Sequence, residues 1–407
     1  MKREARWPVP GRLKSATKRN LFAMLEAIAR SHELTKTQRD KIETSYASTG
    51  AHLAEDRKFG RYVKQVHPQG SFVLGTMVRH PEFDIDSVAR LEREAERLYL
   101  GAAGATQLLN DLHASLSDYG ARHHLKVTRK KRCVQIEYAQ GMHADITPVF
   151  DAPLHGVPFG DLHGAVPDRE LRCYVPTNPR GYASWFSMQA EKRPLFVGEG
   201  WFAEILAKTD VVPLPDQQEL QKRFLSRVVQ VAKVHRNHSF VGREDDAPTS
   251  IFITTLLANG YERLVHLPHD DEFTFLIALI DDMPSGFERR GSNGDEWVLM
   301  NPTTTSENIA SRMNTPVRQK AFELWVWQLR EDLCALAVGL DGGSATNGRD
   351  QLITGIQRKF GSLAADAART GLLSGITQAR SNHLVIANSA TGLIAMPSRP
   401  HTFHGQR

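Results

Sequence analysis

The feature that most constrains this chain is a pair of aspartates set inside an apolar run. Phe83-Asp84-Ile85-Asp86-Ser87-Val88 places two carboxylates at i and i+2. Alternation along a strand points both to one face and sends Ile85 to the other, into a core. Two carboxylates on one face repel unless a cation lies between them. On its own, an Asp-x-Asp is ordinarily a solvated edge strand. The upstream segment changes that reading. Gln69-Gly70-Ser71-Phe72-Val73-Leu74-Gly75-Thr76 sets Gly-Ser between a strand-like run and a short helix. Free N–H groups at a helix start suit phosphate oxygens. Glycine permits close backbone approach, and the Ser71 hydroxyl adds a donor. Phosphate and carboxylate oxygens together suit Mg²⁺.

A third carboxylate is expected on a neighbouring strand, and Ala144-Asp145-Ile146-Thr147-Pro148-Val149-Phe150 supplies it. Burying that charge unpaired is costly, so Asp145 needs a partner, either a metal or a turn that it caps. The preceding run, Cys133-Val134-Gln135-Ile136-Glu137-Tyr138, alternates cleanly and can pair with it as a hairpin.

The rest of the chain sets the frame. At 407 residues, 41% hydrophobic and 24% charged, it is neither disordered, nor collagen-like, nor a small disulfide scaffold. The length suggests two domains or one elaborated one. A net charge of +5 permits an anionic partner without naming it. Cys133, Cys173 and Cys334 form no CxxC pair, which argues against a zinc ribbon and a disulfide framework. Met1-Lys2-Arg3-Glu4-Ala5-Arg6-Trp7 has no apolar stretch of the signal-peptide kind. Phe273–Leu279, the most apolar run, falls short of the roughly 18 residues a membrane span needs. The expectation is a soluble, cytoplasmic protein with no membrane partner.

Periodicity predicts two helices over 18–56, the first carrying Leu21, Leu25, Ile28 and Ala29. Thr35-Lys36-Thr37-Gln38 reads as a capping box. Strand-like runs follow at Arg61–Val66, Phe83–Leu91, Leu125–Ala139 and Ala144–Phe150, with a helix near 104–118. Residues 151–181, rich in Gly and Pro, read as loop. Beyond 182 the pattern is mostly helical: a stripe of Leu220, Phe224, Val228 and Val231, then Ser250–Tyr261 and Val317–Val338. Periodicity fades after 365, and the tail is expected to be loosely ordered or to wrap the surface. The fold class is α+β: a mixed lobe, a helical lobe and a cleft between them.

Gly70-Ser71, Asp84-Ile85-Asp86 and Asp145 together resemble the pattern of the DNA polymerase β nucleotidyltransferase superfamily. Within it the chain is similar to the bacterial cGAS/DncV-like nucleotidyltransferases. The resemblance runs from about 18 to 365. It takes in Val175–Phe186, Lys233-Val234-His235-Arg236-Asn237, Ser250–Leu256 and Asn301-Pro302. It implies a polymerase β-like catalytic core with N-terminal helices over 1–180, a helical lobe over 181–365 and a tail over 366–407. It also implies roles. Asp84, Asp86 and Asp145 would be catalytic and bind two Mg²⁺, for which Mn²⁺ can substitute. Gln69, Gly70 and Ser71 would hold the donor's phosphates, with Lys233, Arg236 and Ser250 reaching them from the helical lobe. The activity implied is joining ATP, and other NTPs, into a cyclic di- or trinucleotide for CBASS anti-phage signalling, releasing pyrophosphate. Partners implied are nucleic acid or a HORMA-type protein as activator, and a ubiquitin-transfer-like enzyme acting on the C-terminus. A linear oligoadenylate synthase, a transferase acting on tRNA or protein, and a degenerate nucleic-acid binder are the alternatives.

Each helical-lobe residue also has a plainer reading. Lys233 can be a snorkelling lysine, Ser250 a helix N-cap and Arg236 a salt-bridge partner. Arg129-Lys130-Lys131-Arg132 is either a charged strand edge or a phosphate-binding patch. Tyr174, Tyr182 and Trp185 either stack on bases or pack the lobe interface. The pairs His123-His124 and His266…His269-Asp270 lack the companions of a zinc site or a His-Asp phosphohydrolase centre.

Overall fold

The computed structural model describes residues 13–79, 83–101, 103–197, 224–342, 347–370, 384–389 and 392–397. Leu220, the chain's first seven residues and its last seven lie outside them. Two helices open the described chain, α1 (Ser15–Ser31) and α2 (Lys36–Ala54). The capping box forms as expected, with Thr35 Oγ1 accepting from the Gln38 N–H and the Gln38 side chain accepting from the Thr35 N–H.

A mixed sheet follows, from β1 (Val63–Pro68), β2 (Phe83–Leu91), β3 (Lys126–Arg129), β4 (Val134–Glu137) and β5 (Met142–Asp151). Their spatial order is β1-β2-β5-β4-β3. Only β2 and β5 are parallel; β4 pairs with β5 antiparallel, the hairpin the alternation predicted. Between β2 and β3 runs α4 (Gly104–His123), after the one-turn α3 (Gly70–Val73). Leu108, Leu112 and Leu116 of α4 share one stripe and pack on Val134, Ile136, Ile146 and Phe150 of the sheet. Each such leucine, fully buried, contributes about 2 kcal/mol.

Residues 151–181 are not simply loop. They contain β6 (Gly164–Asp168), paired with β5, and β7 (Cys173–Thr177), paired with β6. Pro167 and Pro176 hid these strands, because proline lacks a ladder donor. The sheet tolerates them on this outer pair.

The helical part comprises α5 (Pro179–Glu191), α6 (Phe224–Ser239), α7 (Ser250–Leu264), α8 (Glu272–Asp282), α9 (Pro316–Gly342) and α10 (Asn347–Phe360). One core joins Leu225 and Val228 of α6, Phe252 of α7, Phe275 of α8 and Phe322 of α9. Leu21, Leu25 and Ile28 belong to it too. The first helix, grouped with the catalytic core by its place in sequence, therefore packs with the helical part. Its amphipathic stripe needed an apolar surface, and α6, α8 and α9 provide it. The tail, expected to be loosely ordered or to wrap the surface, holds an antiparallel hairpin, Leu384–Ser389 with Gly392–Pro397.

Candidate active site

Strand geometry places the aspartates as the sequence predicts. Ile85 is 3% exposed in a small core with Met77 and Met142. Asp84 and Asp86 point the other way and line a cleft of about 740 Å³ between sheet and helices. The parallel register sets Asp86 beside Asp145 and Asp84 beside His143. Paired residues of neighbouring strands share a face, so three carboxylates occupy one side of the sheet. Their side chains have different partners. Asp84 Oδ1 lies 3.3 Å from His143 Nδ1. Asp145 Oδ1 accepts from Gln135 Nε2 at 2.9 Å, and Asp145 is absent from the cleft lining. Among the described residues, no three His, Cys, Asp or Glu side chains converge into a closed ligand set. The strands bring the triad together at the level of backbone register, and Gln135 holds its third member.

The Gly-Ser turn sits directly over Asp86. Gly70 adopts φ +64°, and a Cβ there would meet Asp86 Oδ2 at 2.4 Å. Both facts favour glycine. The Gln69 N–H donates to the Asp86 carbonyl at 2.8 Å, fixing the turn to β2. Gln69, Gly70 and Ser71 all line the cleft.

The opposite wall is α6. Ser226, Gln230 and Lys233 form one polar stripe and grip the chain just after the Gly-Ser turn. Ser226 Oγ donates to the Leu74 carbonyl at 3.4 Å and Gln230 Nε2 to the Met77 carbonyl at 3.1 Å. Lys233 Nζ donates to Thr76 Oγ1 at 3.1 Å and to the Thr76 carbonyl at 3.3 Å. Lys233 is 4% exposed and lines the cleft, so it is not a snorkelling surface lysine. Arg236 also lines the cleft. It makes no salt bridge among the described residues; Nη2 donates to Ser250 Oγ at 2.9 Å and Nη1 to the Pro248 carbonyl at 3.1 Å. Ser250 is not the N-cap of α7. Thr249 is, accepting from the Phe252 N–H, which leaves the Ser250 hydroxyl facing the cleft.

The electrostatics record this crowding. Burial, then the charges of Asp145 and Asp84, push the Asp86 carboxyl up to about 7, with Lys233 opposing. Burial, then the neighbouring Arg236, pushes the Lys233 ammonium down to about 7, against the pull of Asp86. Burial alone lowers Arg236 to about 10. An acidic floor and a basic wall thus face each other, each disfavoured by its own like charges.

Sequence reasoning missed His143, Gln135 and Thr76. Register identifies the first two, and Thr76 stood in the quoted turn segment without a role. Of the aromatic candidates, Tyr174 and Trp185 lie outside the cleft lining, whereas Tyr182 lines the cleft as well as packing. The Tyr182 hydroxyl is 2.8 Å from Thr255 Oγ1 and its ring lies 5.2 Å from that of Trp185. Tyr174 packs on Phe150. His269 Nε2 lies 2.9 Å from the Leu264 carbonyl and its ring stacks on Phe275. Among the described residues, no helix is long and apolar enough to cross a membrane.

Comparisons with known proteins bear on the fold and the activity. Residues 21–189 match the Second Messenger Oligonucleotide or Dinucleotide Synthetase domain family. A c-di-GMP synthase from Roseivirga ehrenbergii is 26% identical over 404 residues, covering 96% of this chain and 99% of that protein. The solved structure of Bradyrhizobium diazoefficiens CdnG in complex with GTP matches with a TM-score of 0.63 at 21% identity, over 87% of this chain and 98% of that one. An E. coli CdnC–HORMA complex matches at 0.53 and 17% identity, over 83% and 96%. The two structures share the fold, and the first relative spans nearly the whole length. Domain family, full-length relative and fold converge: the chain carries a second-messenger synthetase domain over residues 21–189, is similar over nearly its whole length to a cyclic dinucleotide synthase, and is a nucleotidyltransferase.

Proposed function

We propose that the cleft joins nucleoside triphosphates into a cyclic dinucleotide second messenger, with release of pyrophosphate. The observation that carries this reading is the facing of Asp84 and Asp86 by buried Lys233 and half-buried Arg236 across one cleft, with Gly70 and Ser71 in the same lining. A triphosphate needs cations on one side and a metal-binding surface on the other.

The residues fit divalent metal. Asp84, Asp86 and Asp145 are hard oxygen donors, and the proton affinity of Asp86, raised by burial and then by the charges of Asp145 and Asp84, is one a bound cation would lower. They would hold two Mg²⁺, or Mn²⁺ in its place. Bound divalent ions supply charge neutralisation and a lowered hydroxyl pKa at the acceptor ribose. The chain's own part is positioning. Gln69, Gly70 and Ser71 cradle the β- and γ-phosphates. Lys233, Arg236 and the Ser250 hydroxyl reach the same triphosphate from α6 and α7. Gln135 orients Asp145. The acceptor hydroxyl forms its bond to the α-phosphorus as the bond to the β-phosphate breaks. A second transfer within the linear product closes the ring.

ATP is the substrate expected from the sequence resemblance. GTP stands beside it, because the full-length relative is a c-di-GMP synthase and CdnG was solved with GTP. A role in CBASS signalling fits these relatives, and a HORMA-type partner fits the CdnC complex. The domain division at about 180 and 365, nucleic-acid activation and conjugation at the C-terminus stay part of the proposal. The last falls on residues outside those described.

The test is incubation with labelled ATP, GTP, CTP and UTP plus Mg²⁺, then phosphatase treatment and mass spectrometry. A phosphatase-resistant cyclic dinucleotide is expected. A linear ladder, or label on tRNA or protein, overturns ring closure. DNA and a HORMA-type protein are added in parallel to supply an activator.

A further inference from the structure

The basic turn between β3 and β4 leaves positive charge that the fold does not neutralise. The turn that follows β6 lies against it: the Arg169 N–H donates to the Lys131 carbonyl at 3.1 Å. Local carboxylates are already used. Asp168, fully buried, accepts from Arg132 Nε at 2.8 Å and lies 3.7 Å from Lys131 Nζ. Lys131 also reaches Glu170 at 2.5 Å. Half of the basic run therefore serves as a structural anchor, a role neither sequence reading gave it. The other half does not. No ion pair joins Arg129, Lys130 or Arg169 to a carboxylate among the described residues. Arg169 Nε and Nη2 are buried with no hydrogen-bond partner among them.

A guanidinium N–H buried without an acceptor is strongly disfavoured. Here the guanidinium also meets like charge. Burial, then Arg129, holds Arg169 below its ordinary pKa. Burial, then Arg129 and Arg169, holds His113 of α4 down. Three elements thus bring basic groups to one spot, and the carboxylates beside them, Asp168 and Glu170, pair with Lys131 and Arg132 instead. That spot is the open edge of the sheet, separated from β2 by β4 and β5. None of these residues lines the nucleotide cleft.

We propose that Arg169, Arg129 and Lys130 form a second anion site, remote from the cleft, that takes phosphate oxygens. A guanidinium fork with free N–H groups matches a phosphate's oxygens in-plane, and Lys130 adds a point charge. The same chemistry is offered by a free polyphosphate and by a nucleic-acid backbone.

The test measures binding of labelled inorganic pyrophosphate, and separately of a short DNA duplex, to the full chain without divalent metal. Lys233→Met is the background, so that the cleft is weakened. Arg129→Ser with Arg169→Gln is expected to weaken binding about tenfold or more. Arg129→Ser with Lys130→Ser touches only exposed side chains and serves if Arg169→Gln unfolds the protein. Carried on an intact cleft, Arg129→Ser with Lys130→Ser leaves nucleotidyl transfer and melting near those of the parent. Loss confined to pyrophosphate identifies a free polyphosphate. Loss of duplex binding, with a shallower salt dependence in the variant, identifies a nucleic-acid backbone. Retention of both in both variants overturns the proposal.

Discussion

Asp84 on the floor of the cleft keeps 59% of its side chain exposed, while Lys233 on the facing wall is 4% exposed. The floor is made by strand alternation alone, and water still reaches part of it. The wall is made by burial, and its charge is sustained by Thr76 and by distant Asp86. Removing a floor charge should therefore cost chemistry and not folding. Removing the wall charge should cost substrate binding and improve folding. Each part of that contrast can be broken.

The largest effect is expected on the floor. Asp84→Ala with Asp86→Ala should abolish product, a loss of roughly 10³-fold or more. Labelled-nucleotide turnover reads it, and the melting temperature should not fall. Full activity in this variant would sink the assignment of the floor. Gly70→Ala comes next. Its Cβ would drive into Asp86 Oδ2 at a backbone φ of +64°. Displacing the turn by a fraction of an ångström should lower kcat about 10²-fold and stability by about 1–2 kcal/mol.

On the wall, Lys233→Met should raise KM for the triphosphate about tenfold, the value of a charge-assisted hydrogen bond. Its effect on stability separates wall from floor by the sign of a pH slope. Between about 7 and its ordinary 10.5, the unfolded chain keeps the Lys233 proton and the folded chain does not. Stability from this group therefore rises with pH across that window, and its penalty is complete below 7. Asp86 does the opposite. Between its ordinary 3.8 and about 7 the folded chain holds the proton, so stability falls as pH rises. Metal-free urea unfolding should find Lys233→Met stabilised at pH 6 and Asp86→Asn stabilised at pH 8.5, each on the order of 2 kcal/mol. Matching slopes in both variants would erase the contrast. The smallest effect belongs to Ser250→Ala. Arg236 keeps its bond to the Pro248 carbonyl, so KM should rise only about threefold.

The two halves of the site differ in the same way in how far they could be read from residues. The floor was legible because its determinants are local. A period of two in Phe83–Val88 and a glycine before Ser71 suffice to predict one face and one close approach. Asp145 was legible as a charge in an apolar run, but its bond to Gln135 depends on which residues the β4–β5 register sets opposite. The wall was legible only through resemblance. Nothing within α6 tells a buried cleft lysine from a surface one. The polar stripe of Ser226, Gln230 and Lys233 has meaning only once residues 74–77 lie against it. Likewise α1 looked like part of the first lobe because it comes first, and packed with the helices because their apolar faces were free. Pro167 and Pro176 masked β6 and β7 for the converse reason: local chemistry argued against strands that the outer sheet pair accommodates.

By itself, then, the sequence determined the acidic face of β2, the Gly-Ser turn beside it and the elements whose apolar period is strong. These follow from short-range sterics and side-chain alternation, which act within a few residues. Tertiary structure alone decided that Asp86 lies beside Asp145, that Lys233 is buried against Thr76, and that Arg169 is left unpaired beside Arg129. Those outcomes depend on burial and on charges from segments far apart in the chain. Desolvation and Coulomb interaction act through space, so no local reading of the sequence contains them.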